Sequence, residues 1–290
     1  MNVLVIGGSG LVGSNVVAEC VERGWNVTST SLETERGSHR QLDKADADAT
    51  ESLVRELDPD AVIDTAAFHA VDECETSRAK AWDVNAGGTR NVAVAADQVD
   101  AHAVFLSTDY VFPGVPSEAP YDESDALDPV NYYAHTKYAG EQAAKIADRS
   151  TVLRPSVIYG LASGNFVTWA LGELDAGNEI DIVDDQISRP TFAPDLATAC
   201  VDVVETGQEG VFHATGPESM SRYEFTLELA SVYGYDADLV SPISTEEFGQ
   251  EAARPRDSSL DSSKLYEALG WEFRAPRAGF EAMKESAIEN

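Results

Sequence analysis

Val5-Ile6-Gly7-Gly8-Ser9-Gly10-Leu11-Val12-Gly13 decides the fold. Residues 2–6 form a short apolar run, which reads as a buried parallel strand. Behind the glycines, Leu11, Val12, Val16, Val17 and Val21 recur at helical spacing. A glycine-rich turn between a strand and a helix is the dinucleotide-binding arrangement. Gly7 permits the tight turn, Gly10 lets the backbone approach a pyrophosphate, and Gly13 lets the helix pack closely on the strand. Ser9, Leu11 and Val12 complete this cofactor-facing stretch. The free N–H groups of the first helical turn then face phosphate.

The pattern continues outward from that turn. Strand-like runs at 25–30, 61–65, 102–107 and 151–154 alternate with helical stretches at 50–57, 77–97 and 131–147. Such alternation predicts an α/β fold with a doubly wound parallel sheet. The second half is less regular, with helices expected at 165–176, 194–206 and 221–233 and strands at 180–183 and 210–214. The expected division is a Rossmann domain over 1–160 plus roughly 180–214. A smaller, interwoven substrate lobe takes roughly 161–179 and 215–290.

The end of the second strand bears on cofactor choice. An acid there bonds the ribose 2′-hydroxyl and repels a 2′-phosphate. Thr28-Ser29-Thr30-Ser31 has no acid until Glu33, so Ser31 with Arg36 or Arg40 suits NADPH, with NADH as the alternative. Asp48-Ala49 reads either as a helix cap or as an adenine contact.

Acidic residues number 51 against 20 basic, a net charge of −31. Nucleic acid and anionic membranes are poor partners for such a surface. At molar salt the Debye length falls to about 3 Å, which screens acidic self-repulsion, so adaptation to a salt-rich cytoplasm is expected. No apolar run reaches the ~18 residues of a membrane span. The apolar start has no basic flank of the signal-peptide kind, so a cytoplasmic location is expected. Cys20, Cys74 and Cys200 are far apart, which suits buried thiols in a reducing compartment. No metal-ligand spacing is present, and no metal is expected.

Tyr133 and Lys137 lie four apart in a predicted helix and so share a face. An ammonium near a phenol favours the phenolate and lowers its pKa, which suits proton exchange with a substrate oxygen. Leu106-Ser107-Thr108-Asp109-Tyr110-Val111-Phe112 follows the fourth strand. Ligands in open parallel sheets bind beyond the strands' carboxyl ends, so Ser107 and Thr108 are expected to face the crevice.

The glycine turn, this segment and Asn131-Tyr-Tyr-Ala-His-Thr-Lys-Tyr-Ala-Gly-Glu141 resemble extended short-chain dehydrogenases/reductases. More closely, they resemble the dTDP-4-dehydrorhamnose reductase family, which includes the regulatory β subunit of methionine adenosyltransferase. Ala66–Asp72, Val84–Asn91, Arg189-Pro190-Thr191 and Arg254–Asp261 extend the likeness along nearly the whole chain. The resemblance makes Tyr133 the proton donor and Lys137 the ligand of the nicotinamide ribose. Thr108 bonds the substrate carbonyl, with Asp109 and Tyr110 beside the sugar. Ala66 and Ala67 line the cofactor crevice, while Asn85 holds either the third strand's turn or the cofactor. Val71, Gln186 and Arg189 face the nucleotide sugar, and Arg254 either reaches a pyrophosphate or anchors the tail.

Two positions depart from the family pattern. Val157 stands where a tryptophan is usual, and His69 stands where threonine is usual. Both belong to the substrate side. The resemblance implies NADPH-dependent reduction of a 4-keto, nucleotide-activated 6-deoxy sugar, with dTDP-L-rhamnose the leading product, for surface glycans. A homodimer is a further candidate assembly. The rival expectations are a non-catalytic NADP-binding regulatory subunit and a nucleotide-sugar epimerase.

Overall fold

A computed structural model of the chain describes residues 1–33, 39–162 and 164–289. Strands β1 (Asn2–Ile6), β2 (Asn26–Ser31), β3 (Arg40–Gln41), β4 (Ala61–Asp64), β5 (His102–Leu106), β6 (Ser150–Arg154) and β7 (Gly210–His213) form one sheet. All its pairings are parallel, and the order is β7-β6-β5-β4-β1-β2-β3. The chain winds outward from β1 through β2 and β3. It then returns to the other side of β1 with β4, so the winding reverses beside β1. A crevice at the strands' carboxyl ends belongs to such a reversal. Register brings those ends together, with Ile6 opposite Asp64 and Asp64 opposite Phe105.

Helices α1 (Leu11–Glu22), α2 (Ala47–Leu57), α3 (Thr89–Asp97), α4 (Tyr132–Ala144), α5 (Phe166–Asp175), α6 (Ala193–Thr206), α7 (Arg222–Tyr233) and α8 (Pro276–Glu289) follow in chain order. Alternate strand residues point to opposite faces. Val3, Val5, Ile63, Val104 and Leu153 meet α1 and α6 through Val16, Cys20, Leu196 and Cys200. Leu4, Ile6, Val62, Phe105 and Val152 meet α2, α3 and α4 through Leu53, Val54, Val92 and Ala144. With both faces covered, near-continuous apolar strands are the expected sequence.

A second core lies apart from the large sheet, and it includes Tyr159 and strand 180–183, which the expected division places in the Rossmann domain. Ile180–Val183 pairs in parallel with Val240–Ile243, apart from the large sheet. Ile180 and Ile182 pack with Phe225 and Leu229 of α7 and Phe280 of α8, around Tyr159. Capping boxes open α5 at Asn165 and α7 at Ser221, satisfying backbone donors at both starts. The tail then recrosses, and Leu265 and Phe273 rejoin the core under α6. Among the described residues no helix is long and apolar enough to cross a membrane.

The continuous helix expected over 77–97 is broken. Arg78–Trp82 is α-helical, Asp83–Gly88 widens to a π-helix, and α3 resumes at Thr89. The widening coincides with Asn85, whose side chain turns away to bind the segment after β4. Such bulges are often found at functional sites.

Candidate active site

The glycine turn stands at the carboxyl end of β1. Gly7 has φ +83, in the left-handed region, and a Cβ there would lie 3.0 Å from the Ala66 nitrogen. A Cβ on Gly13 would lie 2.1 Å from the Gly7 oxygen, so only glycine lets α1 pack this close. Gly10 differs: its φ is −80, it is exposed, and a Cβ would meet only the Gly7 oxygen, at 3.4 Å. Among the described residues no atom demands glycine at 10. The N-terminus of α1 has no side-chain cap, leaving N–H donors for an anion. Ser9, Leu11 and Val12 lie on this turn and the helical turn behind it. A Gly10→Ala variant is expected to keep wild-type thermal stability. Its NADPH affinity should fall about tenfold, or about 1.4 kcal/mol, read by fluorescence titration beside a melting curve.

At the end of β2, Ser31 is buried and its hydroxyl donates to the Glu33 carbonyl at 2.5 Å. Arg40 is exposed, and both of its terminal nitrogens bind Glu56 at 2.8 and 2.9 Å. Arg36 lies outside the described residues. Asp48 is not the cap of α2. The helix begins at Ala47, and Asp46 caps it by accepting from the Ala49 nitrogen at 3.0 Å. Asp48 and Ala49 are exposed on its first turn.

The segment after β4 forms the next wall. Asn85 is buried, accepts from the Phe68 nitrogen at 2.8 Å, and donates to the Phe68 oxygen and the Thr136 hydroxyl at 3.0 Å each. Its amide is fully engaged in holding that turn. Ala66 and Ala67 are half-buried on this wall. Beneath them lies a pair that sequence reasoning missed. The Lys44 ammonium binds Asp64 and the Ala66 carbonyl at 2.6 Å each, with both charged side chains buried. Asp64 was the available signal, since an acid ending an apolar strand needs a partner.

Helix α4 carries Tyr133 and Lys137, and its cap Asn131 accepts from the Ala134 nitrogen at 2.8 Å. The Tyr133 phenol lies beside the Thr108 hydroxyl, with Asp109, Tyr110 and Cys74 around it. Burial, then the Asp109 charge, push its pKa well above the ordinary tyrosine value. This reverses the expected depression. Lys137 is not among the groups that shift the phenol, and its own proton affinity drops to about 8 through burial and the Lys44 charge. Lys137 forms no hydrogen bond or ion pair among the described residues. A buried ammonium without a partner is costly, and a ribose hydroxyl pair is a fitting acceptor.

Asp109 turns inward, away from the expected sugar position. One carboxylate oxygen accepts from Ser156 at 2.6 Å and Ser258 at 2.5 Å, and the other accepts from Thr108 at 3.1 Å. Ser107 also faces inward, donating to Glu141 at 2.5 Å. Glu141 in turn grips Arg154 with two bonds of 2.8 Å.

Beyond Tyr110 opens a cavity of about 790 Å³. Val71, Tyr110 and Gln186 line it, as does Arg254, which also pairs with Asp72 at 3.0 Å. Phe166, Trp169 and Arg222 line it too; their signal was three aromatic or basic residues on two lobe helices. Five expected substrate residues are not on its lining: Thr108 and Asp109, placed above, and His69, Arg189 and Val157. His69 is exposed, and Arg189 is tied to Ser219 and the Leu260 carbonyl. Val157 adopts φ 43, a left-handed conformation that strains a β-branched residue.

The family model described as RmlD substrate binding domain matches residues 1–288. The chain is 33% identical over 269 residues to the dTDP-4-dehydrorhamnose reductase of Mycolicibacterium smegmatis, covering 92% of this chain and 80% of that one. It is 31% identical over 283 residues to the methionine adenosyltransferase 2 subunit beta of Xenopus tropicalis, covering 94% and 84% respectively. A crystal structure of dTDP-4-dehydrorhamnose reductase from Bacillus anthracis in complex with NADP superposes with a TM-score of 0.91 at 32% identity, covering 100% of this chain and 99% of that one.

Proposed function

The chain belongs to the RmlD substrate binding domain family, and from that premise we propose that it reduces the 4-keto group of a nucleotide-activated 6-deoxy sugar, with dTDP-4-dehydro-L-rhamnose the leading substrate. The observation that carries the reading is the partnerless buried ammonium of Lys137, one helical turn from a phenol held protonated beside Thr108.

Gly7, Gly10, Gly13 and the first N–H groups of α1 would hold the cofactor pyrophosphate, and Lys137 the ribose. The bound nicotinamide supplies the hydride that reaches C4. Tyr133 stays protonated through the neutral range and gives its proton to the carbonyl oxygen as charge develops there. Thr108 gives up its 3.1 Å bond to Asp109 and donates instead to that oxygen. Asp109 remains satisfied by Ser156 and Ser258. Two buried donors, Tyr133 and the reoriented Thr108, then meet the developing alkoxide. In the cavity, Arg222 and Arg254 offer cations for a diphosphate, and Phe166 and Trp169 offer ring faces for a base.

The test is NADPH oxidation on dTDP-4-dehydro-L-rhamnose in molar KCl, with NADH alongside. Turnover with NADPH supports the reading, and tight NADPH binding without turnover on any 4-keto sugar would reject it. The pH profile carries a second expectation. Lys137 is charged below about 8 and loses its charge as pH rises through that value. The kcat/KM for NADPH should therefore be level near neutrality and fall above pH ~8, since this ratio reports the free enzyme. A limb above pH 10 would point to Tyr133 instead.

The likeness to a methionine adenosyltransferase β subunit favours a second reading, a cofactor-binding regulatory subunit. Co-purification with a larger enzyme whose rate it changes would support that alternative.

A further inference from the structure

We propose that the buried Lys44–Asp64 pair is the positioning device of the cofactor crevice: it fixes the Ala66 peptide against the glycine turn and sets the electrostatic field at Lys137. The inference rests on the nicotinamide reading above.

The pair catches one peptide on two sides. Asp64 accepts from the Ala66 nitrogen at 3.1 Å with one oxygen and binds Lys44 at 2.6 Å with the other. Lys44 closes the loop on the Ala66 carbonyl, also at 2.6 Å. Ala66 abuts the turn, because a Cβ on Gly7 would lie 3.0 Å from its nitrogen and 3.1 Å from its Cα. Moving Ala66 would therefore move a wall of the phosphate seat. The lysine stem is itself fixed, lying where a Cβ on Gly88 would approach within 2.7 Å. That contact locates Lys44 against the π-helical stretch, which packs on α4.

The same pair acts on Lys137 with two opposed signs. Lys44 disfavours a second positive charge nearby, and Asp64 favours it. Glu141 also favours it from α4, though Arg154 binds that carboxylate on both oxygens. Asp109 and Cys74 face Tyr133, one turn earlier on the helix. Lys44 and Asp64 are thus the opposed charges across the crevice, and they touch neither Tyr133 nor the sugar cavity.

The test is NADPH binding followed by fluorescence from pH 6 to 10 in wild type, Lys44→Met, Asp64→Asn and the double variant. Circular dichroism monitors folding. The double variant removes both charges together, so it avoids a lone buried charge and keeps the test open if a single variant misfolds. Each variant that folds should bind NADPH about tenfold more weakly at pH 7, equivalent to about 1.4 kcal/mol. The alkaline loss of binding should move up in Lys44→Met and down in Asp64→Asn. In the double variant it should return close to the wild-type position while affinity stays low. Wild-type affinity in the double variant, or coincident alkaline limbs in two folded single variants, would overturn the proposal. Failure of wild type to bind NADPH would instead overturn the nicotinamide reading, and this inference with it.

Discussion

Replacing Tyr133 by phenylalanine is expected to lower turnover by about 10²–10⁴-fold, the range for removing a positioned proton donor. NADPH affinity should stay within about twofold, a shift of about 0.4 kcal/mol. The substitution deletes one oxygen from a ring packed edge-on against Tyr110 at 6.4 Å, so the ring has little reason to move. The other proton carriers beside it are the Tyr110 phenol and the Cys74 thiol, and burial raises the pKa of both. Asp109 is occupied by three hydroxyls, Lys137 is the group proposed to hold the ribose, and His69 is exposed. Single-turnover absorbance decay of NADPH separates this chemical loss from binding. A variant within about threefold of wild type, near 0.7 kcal/mol, would remove Tyr133 from the mechanism.

Replacing Glu141 by alanine should cost about 3–5 kcal/mol of stability, as expected when one partner of a buried ion pair is removed. Arg154 would keep its charge under α4 with only the Phe112 ring and His213 beside it. His213 offers no compensation, because burial and the Arg154 charge hold its pKa down to about 3 and keep it neutral. Ser107 would also lose its acceptor. Urea unfolding of Glu141→Ala, Arg154→Met and the double variant Glu141→Met/Arg154→Met measures the effect. The double should be more stable than either single. Three equal losses would show that the pair matters only as packing.

Much of this was legible in the residues. The glycine spacing, the apolar strands and the Tyr133–Lys137 interval each carry a local physical requirement, and these elements form where their patterns placed them, although the helix expected over 77–97 is interrupted and the strand Arg40–Gln41 was not foreseen. Two kinds of feature were not legible. Partnerships across long sequence separations leave no local trace: Lys44 with Asp64 and Asp109 with Ser258 could not be paired from composition. Direction was the second failure. Ser107 and Asp109 belong to the right segment, yet they turn into the protein, because a strand's carboxyl end offers two faces. The tyrosine's raised proton affinity likewise depends on depth and on a neighbouring carboxylate, not on the spacing of lysine and tyrosine.

The bond from Ser258 to Asp109 has a consequence for biosynthesis. A growing chain emerges from the ribosome amino end first, so Thr108, Tyr133 and Lys137 are all present long before the serine 149 residues beyond Asp109. Until it arrives, the carboxylate that steers Thr108 lacks one of its three hydroxyls. The surroundings of Asp109 are therefore complete only once Ser258 has been made and packed against it.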